Sequence, residues 1–123
     1  MRILLLIGSG GFLGGVSRYL LSQIIQSRSG SAFPFGTLGV NILGCFIIGI
    51  VFGLSERGNL SAEWRLFLAT GICGGFTTFS AFSNETFAML HDGQLFHGFI
   101  YITASVIIGI LATFIGFTLF KMI

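Results

Sequence analysis

Apolar residues fall into four long blocks separated by short polar clusters. The first block runs from about Ile3 to Ile25 and stops at Gln26-Ser27-Arg28-Ser29-Gly30-Ser31. A second, about Gly36 to Leu54, follows Pro34, whose fixed φ suits a helix entrance, and is closed by Glu56-Arg57-Gly58-Asn59. Ser61, Ala62 and Glu63 read as an N-cap with an acidic first turn, opening a third block from about Trp64 to Leu90. His91-Asp92-Gly93-Gln94 is a tight polar turn, and the fourth block runs from about Leu95 to Leu119, with Lys121 near its end. About 20 apolar residues cross a bilayer. The pattern therefore predicts an all-α membrane protein: one domain, residues 1–123, of four transmembrane helices whose short loops make neighbours antiparallel.

The third block carries an internal contradiction. Gly74-Gly75-Phe76-Thr77-Thr78-Phe79-Ser80-Ala81-Phe82-Ser83 places two glycines and two threonines where a membrane helix should run unbroken. Non-helical backbone at membrane depth is tolerated only where protein or a water-filled path covers it. Discontinuous membrane helices expose carbonyls or amides that coordinate ions. A break here is expected to handle an ion.

Composition strengthens the membrane reading. Of 123 residues, 54% are hydrophobic and 8% charged, with 19 glycines and 15 phenylalanines. A soluble domain carries about 25% charge. A single soluble domain of this length has no core large enough to hide so much apolar surface. A formal charge of +2, with no basic cluster, excludes a nucleic-acid partner. Arg2 followed by Ile3 to Ile7 imitates a signal peptide, but the apolar block continues to Ile25 and includes Arg18 and Tyr19, so it reads as a span. Alternating crossings put Arg2, Arg57, Arg65 and Lys121 on one side, with Arg18 and Arg28 towards the other. Four against two is a thin bias, so both orientations have room to insert.

Small residues recur at helical spacing. Gly10 and Gly14, Gly11 and Gly15, and Gly49 and Gly53 are each four apart, the interval that lets membrane helices approach closely. Helices packed so tightly leave no pore within one subunit, which puts any transport path between subunits. Cys45 and Cys73 lie in apolar blocks and read as small hydrophobes rather than as a disulfide or metal pair.

Polar residues inside the blocks need a partner or a task. Asn41 lies in mid-span, one turn after Thr37, and its amide serves either a neighbouring helix or a passing ion. Tyr101, Ser105, Gly109 and Thr113 recur every four residues as a drifting hydroxyl stripe, although hydroxyls also bond back to their own helix. Phe79 and Phe82 share a helical face just after the expected break. Ring edges are electron-poor and attract anions. Glu85 is the one acid well inside a block; it serves proton coupling or, more simply, accepts from a nearby Ser or Thr. Arg18 snorkels, pairs with an acid or draws anions to a pore mouth. His91 and His97 read as loop residues, and Trp64 as an interfacial anchor.

Three motifs occur in order. They are Gly11-x-x-Gly14-x-x-x-Arg18-Tyr19, then Pro34-x-Gly36-Thr37-Leu38-x-Val40-Asn41-x-x-Gly44, then Gly71-x-x-Gly74-Gly75-Phe76-Thr77-Thr78-Phe79-Ser80-x-Phe82-Ser83-x-Glu85. Together they resemble the Fluc (CrcB-type) fluoride channel family over nearly the whole chain. The resemblance implies a passive fluoride channel, not an enzyme, in the bacterial inner membrane. It implies an antiparallel, dual-topology homodimer with two fluoride pores along the subunit interface and a central structural sodium ion. Carried over by position, backbone carbonyls of Gly74 and Thr77 from both copies would hold the sodium. Phe79 and Phe82 would line the fluoride path with Asn41 as amide donor, Thr37 beside it, Tyr101 and Ser105 in a hydroxyl track, and Arg18 in the vestibule. Two positions depart from the pattern: Ala81 stands where a threonine is usual and Gly109 where a serine is common, with Thr113 one turn on.

Fluoride binds water tightly, so a selective pore must replace that shell with many donors. Export needs no ATP, because acid outside delivers HF that dissociates inside and the anion leaves passively; the sequence has no P-loop. The alternatives are a small four-helix multidrug exporter, which requires an acid that the first block lacks, and a non-conducting assembly subunit, which leaves the break and its paired rings unexplained.

Overall fold

A computed structural model describes residues 1–122. Every regular element among them is helical. Helix α1 spans Arg2–Ser29 and ends on Gly30, whose φ of 61° is the left-handed cap that glycine adopts without a Cβ clash. Helix α2 spans Phe35–Glu56 behind Pro34. The third crossing, Ala62–His91, is assembled from pieces. Helix α3 is Ala62–Arg65, a π-helical stretch covers Leu66–Cys73, α4 is Gly74–Phe76, and α5 is Phe79–His91. Helix α6, Leu95–Met122, completes the set. His91 and His97 therefore lie in the last turn of α5 and the first turn of α6, not in the loop between them. Four stretches are long and apolar enough to cross a membrane, making this a multi-pass membrane protein.

Polar residues organise the ends. The Ser61 hydroxyl accepts from the Trp64 N–H at 3.2 Å and starts α3. Gln26 staples the first loop: its amide nitrogen donates to Ser31 O and Phe33 O, while its carbonyl accepts from the Gly36 N–H at 2.9 Å. Arg2 meets Glu63 at 2.9 Å, which places the starts of α1 and of the third crossing at the same end of the bundle.

Backbone proximity, rather than large side chains, holds the helices together. Helix α2 packs along α6, and α1 packs along the π-helical stretch and α4. A Cβ on Gly10 would stand 2.7 Å from Phe67 O, and one on Gly14 would collide with Ile72 O. On the other seam, a Cβ on Gly49 would run into Thr113 O and one on Gly53 would approach Phe117 O to 2.6 Å. A Cβ on Gly15 would meet nothing within 4 Å, but the backbones of Gly11 and Gly15 both border Gly75, whose Cβ would stand 2.5 Å from Gly11 O and 3.0 Å from Gly15 N. Few large side chains are enclosed: Val40 and Tyr101 are fully buried, while Phe79, Phe96, Phe99 and Phe114 face outwards.

The break is real but narrower than the sequence suggests. Gly74 and Gly75 are helical, and only Thr77 (φ −96°, ψ 155°) and Thr78 (φ −149°, ψ 120°) are extended. Gly75 is required for a different reason, since a Cβ there would come within 2.5 Å of Gly11 O on α1. Gly75 brings the crossing against α1, and the β-branched threonines, which favour extended backbone, part it.

Candidate functional site

Hydrogen bonding at the break is unusual in where each group goes. In a continuous helix the Thr78 N–H would bond Gly74 O and the Ala81 N–H would bond Thr77 O. Instead Thr78 N–H donates to Asn41 Oδ1 at 2.9 Å, and Ala81 N–H donates to Thr78 Oγ1 at 3.1 Å, capping α5. Asn41 Nδ2 returns a bond to Thr78 O at 3.1 Å, so the amide pairs with Thr78 as a neighbouring strand would. Arg18 Nε donates to Gly75 O at 3.0 Å. Cys73 O accepts from both the N–H and the hydroxyl of Thr77, at 3.0 and 2.9 Å. The Gly74, Phe76 and Thr77 carbonyls have thus lost their helical donors, while the carbonyls of Cys73, Gly75 and Thr78 are engaged.

Of these, Gly74 and Thr77 line one cavity of about 480 Å³ on the flank of the subunit. Its wall also includes Asn41, Phe79, Phe82 and Ser105, with Cys45 and Cys73. The wall is mostly apolar, so each polar group on it stands out. The Ser105 hydroxyl oxygen is buried without a hydrogen-bond partner, which is rare enough in folded proteins to require an explanation. The rings of Phe79 and Phe82 lie 5.7 Å apart with planes tilted by 46°, and Phe79 is 79% exposed.

Behind the rings sits a carboxylate with two hydroxyl donors. Thr37 Oγ1 donates to Glu85 Oε2 and Tyr101 Oη to Glu85 Oε1, each at 3.1 Å. The Tyr101 ring stacks obliquely on Phe82 at 5.1 Å and meets Phe33 edge-on at 5.6 Å. A threonine is therefore a partner of Glu85, as the simpler reading expected, and a tyrosine from α6 joins it.

The sequence-predicted residues separate into two sets. Asn41, Gly74, Thr77, Phe79, Phe82 and Ser105 share the cavity. Thr37 and Tyr101 stand behind it on Glu85, and Arg18 reaches the break from α1. Thr113 donates to Cys45 O at 2.9 Å and to Gly109 O at 3.2 Å, and does not extend the hydroxyl stripe into the cavity. Ala81 contributes its N–H, not a side chain, to the cap. Sequence reasoning missed three things: the π-helical stretch, the pairing of Asn41 with Thr78, and the bond from Arg18 to Gly75. No periodic signal marks a π-helix, and partners 37 and 57 residues apart have no local signature.

Backbone carbonyl oxygens relieved of their helical donors are hard oxygen groups of the kind that could hold a hard cation.

Residues 5–117 match the family described as CrcB-like protein, camphor resistance (CrcB). The chain is similar to a fluoride-specific ion channel FluC of Chlorobium phaeobacteroides, 47% identical across 97% of this chain and 93% of that one. It is 48% identical to the protein of the same name from Rhizobium meliloti, covering 98% of each chain. A Thermus thermophilus relative, also named so, is 45% identical over 97% of this chain and 95% of its own.

Proposed function

The chain belongs to the CrcB family, and from that membership we propose that it is a fluoride channel that lets cytoplasmic fluoride leave passively. It is a channel and not an enzyme. Two copies inserted in opposite senses, in the bacterial inner membrane, form the working unit. The breaks meet at the centre, where Gly74 and Thr77 carbonyls from both copies hold one sodium ion. Fluoride moves along the two flanks of that interface.

The observation that carries this reading is the cavity wall. Asn41, the partnerless Ser105 hydroxyl and the adjacent Phe79 and Phe82 rings sit on one side of an open, mostly apolar hollow. Asn41 has one amide hydrogen beyond the one donated to Thr78, and Ser105 has its whole hydroxyl. Ring edges add positive potential without a fixed charge. Such a wall attracts an anion, replaces part of its water shell, and releases it again. Arg18, held on Gly75 O through Nε, adds a positive charge beside the break. Sodium contributes only fixed positive charge and a joint between the subunits; selection is left to the protein groups.

Liposomes loaded with potassium fluoride and reconstituted with purified protein, followed with a fluoride electrode, test the proposal. Rapid fluoride efflux with slow chloride efflux is expected. Equal efflux of both anions would remove the selectivity claim, and no efflux would favour a non-conducting assembly role.

A further inference from the structure

We infer that Asn41 is a positioning residue for the cation site: by taking the Thr78 N–H, it keeps the Gly74 carbonyl open. The inference rests on the proposed sodium site and assigns its upkeep to a side chain on a different helix.

The geometry is an exchange of partners. Helix α4 lasts only from Gly74 to Phe76, and nothing in the chemistry of Thr77 forbids one more helical bond, since the Thr77 N–H still donates to Cys73 O at 3.0 Å. The next bond in series would run from Thr78 N–H to Gly74 O. Asn41 Oδ1 intercepts that donor at 2.9 Å, and Nδ2 secures Thr78 O at 3.1 Å. With both its backbone groups satisfied by one amide, Thr78 is held at φ −149°. Extended backbone at this depth would otherwise have two unmet polar groups, which lipid cannot satisfy.

Two further contacts make the outcome selective. Arg18 occupies Gly75 O, and Thr77 turns its own hydroxyl back onto Cys73 O. The Thr78 hydroxyl takes the Ala81 N–H that would close Thr77 O. Side chains from α1, from α2 and from the break itself thus bear on which oxygens remain free, those of Gly74 and Thr77 among them. Without Asn41, Thr78 recovers the Gly74 oxygen as acceptor, α4 gains a bond, and one of the two carbonyls per subunit closes.

The test measures thermal unfolding of the detergent-purified protein against sodium concentration, with N-methylglucamine replacing sodium at constant ionic strength. The unmutated protein, Asn41→Leu and Asn41→Ala are compared; leucine keeps the branched outline of asparagine without its donors and acceptor, and alanine removes the bulk. The half-stabilising sodium concentration is expected to rise at least tenfold in both variants, while helix content without sodium stays the same. A sodium response equal to the unmutated protein's would overturn the inference and leave the proposed function standing. No response in the unmutated protein would remove the sodium site and this inference with it. Loss of folded protein in both variants would also overturn it, by making Asn41 a general requirement for folding.

Discussion

Tyr101 on α6 and Glu85 on α5 are joined by a 3.1 Å hydrogen bond, and the tyrosine ring that makes it is fully buried. Glu85 sits 16 residues before Tyr101 and also accepts from Thr37 on α2, so one carboxylate ties three crossings together. Helices α5 and α6 share few other contacts, which raises the importance of this one. Tyr101→Phe keeps the ring against Phe33 and Phe82 and removes only the donor. It is expected to destabilise the protein by about 1–3 kcal/mol, the range for a buried polar group left without its partner. Equilibrium unfolding in mixed micelles measures it; a change below about 0.5 kcal/mol would mean the bond is not maintained in the membrane.

The paired rings make a second expectation. Phe79→Ile and Phe82→Ile keep apolar bulk at the cavity wall and remove the electron-poor edges. An aromatic contact of this kind contributes about 1 kcal/mol or more, so fluoride efflux should fall about tenfold while assembly persists. Undiminished efflux in both variants would remove the ring-edge role.

Asn41→Asp separates charge from shape. The carboxylate has the outline of the amide but exchanges donors for a negative charge on the proposed fluoride path. Two like charges about 4 Å apart repel by about 4 kcal/mol at an effective dielectric of about 20. Fluoride efflux should therefore drop by more than about a hundredfold; efflux matching the unmutated protein would take Asn41 off the path.

Glycine packing yields a contrast between two positions on one helix. Gly14→Ala forces a methyl into Ile72 O on the third crossing, whereas Gly8 has nothing within 4 Å. Overpacking of this kind costs about 1–3 kcal/mol, so Gly14→Ala should lower the unfolding temperature and Gly8→Ala should not. Equal effects would mean that α1 stands further from the third crossing than its backbone contacts require.

The sequence alone determined the structural class and the family of this protein. Block lengths set four crossings, because the bilayer imposes a fixed apolar length. Gly10, Gly14, Gly49 and Gly53 marked the packing seams through their spacing, because helical periodicity makes close approach a local property. The motif from Gly71 to Glu85 located the break to within a few residues and singled out the aromatic pair. Only the tertiary structure decided which part of that motif unwinds, and why. Gly74 and Gly75 stay helical, with Gly75 packed directly against α1, and Thr78 extends because Asn41, 37 residues earlier, meets both its backbone groups. Hydrogen bonds are short-ranged and exchange between competing partners with little net change in free energy. Which carbonyls stay open is therefore set by the neighbours that α1 and α2 bring within hydrogen-bond reach, and no pattern along the chain encodes that.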